Sequence, residues 1–353
     1  MLKKIPRILV ISSSGTLAKS ITNQVVASFG IQSLTISDYK VKRLQAFGKE
    51  LQEQYGIEPK CKLIDINSFE SIKNGIEDLD YVIVPVSQKQ PLVQQVCIQK
   101  GIVCIDLTLS EAFIDNVLKL QSEAYNGKSL LLMAAGLFPG LSGLIANEIH
   151  KNSPDAIIDI GLLQSKDVMA GGTGIADMLQ LFNQQVGYVT TVKKSNVSGF
   201  KLLKTFNFNN RFGEKKLRLA NFSERKYLEQ RLHIESNYWS AFDSEFFNKL
   251  IAFVKAIGLL NLFENPKYRL RAARLISILK SKVEKASIGV IVQSDETNKI
   301  SFILESDYGA TAACVMAFVK ILDNRQEKQF GIFFPFELFE LNEALAYIEH
   351  KIK

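Results

Sequence analysis

Residues 8 to 18 read ILVISSSGTLA, four apolar residues running into three serines, a glycine and the start of a helical pattern. In a turn that holds the pyrophosphate of a dinucleotide, the strand ends abruptly, the backbone approaches the phosphates, and the following helix offers its unpaired amides. On a G-x-x-G-x-x-G spacing the three critical positions are Ser12, Gly15 and Ala18. Glycine stands only at the middle one, alanine is small enough for close helix packing, and Ser12 is the departure. Ser12, Ser13, Ser14 and Thr16 add hydroxyls suited to phosphate oxygens, and Leu17 belongs to the same first helical turn. Asp38 follows at roughly the 20-residue distance where an acid accepts hydrogen bonds from ribose hydroxyls. A carboxylate there repels a 2′-phosphate and favours NAD, whereas Lys40, Lys42 and Arg43 beside it would attract one and keep NADP open. The opposing reading is a non-catalytic binding or scaffold protein that keeps the shape and has lost the cofactor, with Ser12 as its main support.

Such residues need a sheet to position them. From Arg7 onward, short apolar runs alternate with stretches whose apolar residues recur every three or four positions, the mark of βα units and a parallel sheet. Strands are expected at 7–11, 32–36, 60–66, 81–86, 102–107 and 128–133, with helical stretches between them. After about Glu148 the rhythm changes. AIIDIGLLQ, KLLKTFNF, ASIGVIVQS and KISFILES read as strands, GIADMLQLFNQQVG and TAACVMAFVKILD as helices, and Asn237 to Lys282 as mostly helical. The fold class is therefore α/β, an N-terminal Rossmann domain with a doubly wound parallel sheet and a second, mixed α+β domain. The expected boundaries are 1–135 for the dinucleotide domain, 136–310 for a substrate and dimerisation domain, and 311–353 for a C-terminal segment packing back on the first.

Composition narrows the class. The 353 residues are 47% hydrophobic and 22% charged, as in a globular protein. A net charge of +7 is too modest to indicate nucleic acid, and no such partner is expected. Cys61, Cys97, Cys104 and Cys314 form no C-x-x-C pair, which argues against a zinc cluster or a disulfide framework and for a reducing, cytoplasmic setting. The opening MLKKIPRILVI reads as a first strand, not a signal peptide. Ser129 to Asn147 carries no charge, but Gly136, Pro139, Gly140 and Gly143 would break a membrane-spanning helix, and a buried strand, a tight loop and a new helix are expected instead.

LIDINSFESIKNGIEDLDYVIVPVSQKQPLVQQVCIQKGIVCIDLT, followed by LLLMAAGLFPGLSGLIANE, resembles the saccharopine dehydrogenase-like family of NAD(P)-dependent oxidoreductases. The likeness continues through AGGTGIADML, YGATAACVMAFVKIL and GIFFPFELFELNEALAYIE. It implies that Asp65 and Ile66 lie by the adenine, that Pro85, Val86 and Ser87 pass beneath the nicotinamide half, that Asp106 ends its strand, and that Gly136 borders the reacting carbon. Leu137, Phe138 and Pro139, with Gly172 and Thr173, would then touch substrate. The implied activity is hydride transfer between a bound nicotinamide and a small metabolite at a cleft between the domains, in a homodimer. That chemistry rests on positioning, so three histidines (His150, His233, His350) suffice, and no catalytic acid or base is assigned. Where saccharopine-forming members resemble G-L-D-P-G-I-D-H, this chain has Phe138 and Ser142 in place of the acids, which leaves amino-acid imine, polyamine-like and unsaturated lipid-like substrates open.

Three further features have two readings each. Tyr308 is either a proton donor or a packing residue at a strand end. Phe246 to Phe263, followed by Lys267, Arg269, Arg271 and Arg274, reads as a dimer or domain interface, with peripheral membrane contact as the lesser reading. The basic stretch Lys193 to Arg231 is either a positive face for an acidic partner or simply solvated.

Overall fold

The computed structural model describes residues 5–164, 181–208, 212–260, 288–304 and 306–348. The chain forms two compact units, one joining Met1–Leu141 to Thr311–Ile348 and the other built on Ser142–Ala310.

The first unit is a seven-stranded sheet whose pairings are all parallel. Its strands are β1 (Ile8–Val10), β2 (Leu34–Asp38), β3 (Lys60–Leu63), β4 (Tyr81–Val84), β5 (Val103–Asp106) and β6 (Leu130–Leu132), with Gly331–Phe333 (β15) added at the edge. The order β15-β6-β5-β4-β1-β2-β3 is doubly wound, and it reverses between β1 and β4. Ile8, Leu9 and Val10 are wholly buried, which accounts for a run with no polar alternation. α1 (Thr16–Phe29) buries Ala18, Ile21, Thr22, Val25 and Val26, one face at helical spacing. Several strands are shorter than expected because the chain leaves the sheet early to form loops. The second is displaced to Leu34–Asp38, since Ile31–Ser33 makes a turn of 3-10 helix. α2 (Val41–Tyr55), α3 (Phe69–Gly75), α4 (Leu92–Lys100), α5 (Glu111–Leu118) and α6 (Gln121–Asn126) complete the crossovers.

The second unit carries a six-stranded mixed sheet in the order β10-β11-β12-β7-β13-β14. After α7 (Leu141–Asn152) come β7 (Ile158–Gln164), a hairpin of β8 (Gln185–Val189) and β9 (Lys194–Ser198), β10 (Leu203–Asn207), β11 (Glu214–Leu219), α8 (Glu224–Leu232), β12 (Ser236–Phe242), α9 (Glu245–Ala256), β13 (Ile288–Gln293) and β14 (Lys299–Leu304). Two expectations are corrected. The helix expected to reach Gly187 gives way to a strand at Gln185, and Asn237, expected to open a helical region, lies in β12, which runs parallel to β7. Ser236, Tyr238, Ser240 and Phe242 take one face and Asn237, Trp239 and Ala241 the other, a period of two. Helix begins only at Glu245, capped by the Ser244 hydroxyl.

Each unit buries an acid. In the second, Glu224 accepts from Ser142 Oγ at 2.5 Å and from Tyr238 OH at 2.6 Å. Burial and the Glu224 charge push the Tyr238 phenol well up, so it stays a donor. In the first, Asp106 Oδ1 accepts from Thr108 N at 2.7 Å, and Oδ2 accepts from Gln94 Nε2 at 2.5 Å and Gln88 Nε2 at 3.0 Å. Burial pushes its carboxyl up to about 7 against the pull of these donors.

Tyr238→Phe keeps the ring and removes one donor from a buried acid, so chemical denaturation should show a loss of about 1–3 kcal/mol; an unchanged midpoint and slope would refute that account. For Asp106, the folded protein holds the proton more tightly than the unfolded chain. Its contribution is therefore full at low pH and is lost as pH rises from the ordinary carboxylate range through 7. Urea titrations at pH 5 and pH 8 should show the native protein losing on the order of 2–3 kcal/mol relative to Asp106→Asn over that interval. A pH-independent difference between the two proteins would contradict it.

Candidate dinucleotide site

β1 ends at Val10, Ile11 N donates to Ile83 O at 3.0 Å, and Ser12 then turns the chain with a φ of 51°. The position where the motif calls for glycine is thus the one whose backbone is left-handed, and a serine carries it at a cost of about 1 kcal/mol. Gly15 is different. Its φ is −72°, it donates to Ser12 O at 3.1 Å, and among the described residues a Cβ on it would meet only that oxygen, at 3.5 Å. Neither dihedral nor packing demands glycine there; the missing side chain leaves open space at the start of α1. Among the described residues no side chain caps this helix. Its first-turn amides, from Thr16 on, therefore carry the positive end of the helix dipole without an internal acceptor.

The serines divide by role. Ser13 is buried, donates to Val10 O at 2.6 Å and accepts from Ser37 N at 2.9 Å, so its hydroxyl ties the turn to β2 and is not the phosphate donor expected. Ser14 Oγ donates to Asp38 Oδ2. Ser12 and Leu17 are half-buried and Thr16 is exposed. Asp38 ends β2, buried; its Oδ1 accepts from Lys40 N at 2.9 Å, and Arg43 Nε lies 4.0 Å from Oδ2. Ile64 N donates to Asp38 O at 3.2 Å, which brings the end of β3 alongside. There Asp65 is exposed, its carboxylate accepting from Asn67 N at 2.9 Å, and Ile66 is half-buried. Ser12 to Leu17, Asp38, Asp65 and Ile66 thus gather at the carboxyl ends of β1, β2 and β3.

Across the switch point, Pro85 and Val86, half-buried, and Ser87, exposed, follow β4. Beyond β6 the chain winds tightly. Gly136 N donates to Pro139 O at 3.0 Å, Leu141 N to Gly136 O at 3.0 Å, and Ala135 N to Asp106 O at 3.0 Å. The Phe138–Pro139 peptide is cis, and a Cβ on Gly140, whose φ is 124°, would fall 2.2 Å from Gly136 O, so only glycine fits. Leu137 and Pro139 are buried and Phe138 is half-buried.

Gln88 and Gln94 hold Asp106, and sequence reasoning passed over both. The one available signal was Gln94 on the buried face of α4, beside Val93, Val96 and Cys97. Tyr308 lies in the first turn of α10 (Asp307–Asn324), a correction to the strand end expected. Phe246, Leu250, Phe253 and Ile257 are exposed. Gly172, Thr173 and the basic residues Lys267 to Arg274 lie outside the described residues. Among the described residues no helix is long and apolar enough to cross a membrane.

No family model and no curated protein matches the chain. Among solved structures, the apo histidine-tagged saccharopine dehydrogenase (L-Glu forming) from Saccharomyces cerevisiae matches 99% of this chain with 99% of its own, at a TM-score of 0.69 and 13% identity. An amine dehydrogenase from Mycobacterium smegmatis covers 96% of this chain with 97% of its own, at a TM-score of 0.48 and 8% identity. At such identity the likeness is one of fold, and in fold this chain is similar to the yeast saccharopine dehydrogenase over nearly its whole length.

Proposed function

We propose that the chain is an NAD(P)-dependent oxidoreductase that moves hydride between a nicotinamide dinucleotide and a small metabolite. One arrangement carries this reading: the uncapped N-terminus of α1, the open space over Gly15 and the buried Asp38 carboxylate, all set at one sheet edge by the Ser12 turn. The donor set fits the ligand. Free amides and the positive helix end suit a pyrophosphate, and a strand-end carboxylate suits two ribose hydroxyls.

In this assignment Gly15, Thr16 and Leu17 hold the pyrophosphate, with Ser12 shaping the turn and Ser14 steering Asp38. Asp38 accepts from the ribose, and Asp65 and Ile66 flank the adenine. Pro85, Val86, Ser87 and Gly136 border the nicotinamide half, and a bound nicotinamide supplies the hydride chemistry. Phe138, with Leu137 and Pro139, faces the substrate. The apolar Phe138 where an acid stands in saccharopine-forming members weighs toward an apolar, unsaturated substrate over an amino-acid imine or a polyamine-like one. Asp38, with a buried negative charge, weighs toward NAD over NADP. A homodimer in the cytoplasm completes the proposal, with the exposed face of α9 as its contact.

Calorimetry on nucleotide-free protein should show NADH binding with micromolar affinity and NADPH more weakly, and Asp38→Ser should narrow the gap. No heat from either nucleotide at about 1 mM would favour the scaffold reading. Gly15→Val places a branched side chain over the helix end in a backbone any residue tolerates. It should weaken NADH binding at least about 100-fold while shifting unfolding by no more than about 1 kcal/mol; a folded variant with native affinity would remove Gly15 from the site.

A further inference from the structure

Asp106 lies at the carboxyl end of β5, two strands from β1 on the side away from Asp38. Its three donors, Thr108 N, Gln94 Nε2 and Gln88 Nε2, are all neutral. Both glutamines reach it with their amino ends, so the negative end of each amide dipole lies on the far side. Those two oxygens, Gln88 Oε1 and Gln94 Oε1, are buried and have no hydrogen-bond partner among the described residues. A fully buried carboxylate with no countercharge among the described residues, joined to two orphaned acceptors, is costly for folding alone. Gln94 is fully buried in α4, and Gln88 sits just past Ser87 in the segment that leaves β4. The cluster is thus a source of unbalanced negative potential beside the switch point, shielded from water and weakly screened.

An oxidised nicotinamide ring carries a positive charge and a reduced ring carries none. Resting on the reading of this edge as a dinucleotide site, we infer that Asp106, acting through Gln88 and Gln94, strengthens binding of the oxidised ring relative to the reduced one. The consequence is directional. When two electrons and a proton leave the reduced ring as hydride and join the substrate carbon, the ring left behind is cationic, and the cluster draws the bound equilibrium toward that state. Asp106 is then a positioning residue for charge, not a group that exchanges a proton with substrate. Burial, which raises its carboxyl to about 7, leaves it mostly ionised by pH 8.

The test is the ratio of affinities for NAD+ and NADH, measured by calorimetry at pH 8 on the full chain. Asp106→Asn should lower the NAD+ to NADH affinity ratio about tenfold while NADH affinity stays within about twofold. Gln88→Leu, at a half-buried position, should shift the ratio the same way by about threefold and decides the matter alone if the first variant does not fold. An unchanged ratio, or equal weakening for both nucleotides, would mean that the cluster only supports the fold. If the native protein binds neither nucleotide, the dinucleotide reading fails and this inference falls with it; native binding with an insensitive ratio overturns this inference alone.

Discussion

β1 is paired in parallel on both flanks, by β2 and by β4, and the rest of the first unit follows from that pairing. A parallel neighbour can be reached only by a crossover, so the connections from β1 and β4 diverge and leave a gap outside their carboxyl ends. The last residues of these strands hand their backbone carbonyls to the segments that follow, Val84 O to Leu107 N, Asp38 O to Ile64 N and Asp106 O to Ala135 N, and the candidate residues of the first unit sit in and beside those segments. The Ser12 turn, the Asp38 terminus and the Ala134 to Gly140 winding are three solutions to the same problem of leaving a buried sheet.

Most of this edge was legible in residues 8 to 38. Four apolar residues followed by small polar ones mark a buried strand that stops, and the acid at the end of the next strand is visible as spacing. What spacing could not show is which small residue does what. Ser12 looked like a defect and carries the left-handed turn, whereas the surviving Gly15 has an ordinary backbone and leaves open space above it. Ser13, one of three adjacent serines, proved to be a strut to Ser37. In the second unit, the strand at Ser236–Phe242 was hidden because SNYWSAF, with Trp and Phe on opposite faces, runs into the apolar helix EFFNKLIAFVKA, and the alternation is drowned by overall hydrophobicity. Gln88 and Gln94 were hidden for a different reason: a glutamine in a loop or on a helix is usually solvated, and nothing local says that the aspartate ending β5 lies beside it.

Three of the interior acids show three ways of burying a carboxylate. Asp159 in β7 has Lys204 as a countercharge, with Trp239 Nε1 donating at 2.6 Å. Glu224 has two hydroxyl donors, one from α7 and one from β12, and so joins elements far apart in sequence. Among the described residues Asp106 has only amide donors. The first two tie elements of the second unit together; the third sits beside the loops of the proposed site, where an unbalanced charge would act on something other than the protein.

The first unit is interrupted by the whole of the second, and its edge strand comes late: Gly331–Phe333 pairs with Leu130–Leu132 across some two hundred residues of intervening chain. During synthesis the apolar edge at Leu130–Leu132 therefore stays open until the chain beyond it has been made, an invitation to pair with the wrong strand. The exit and return lie close together, since a Cβ on Gly136 would stand 3.4 Å from Thr311 Cγ2. Once the inserted unit has folded, the chain no longer pays the closure entropy of a long free loop, so the late strand completes the sheet as though its two halves were near neighbours.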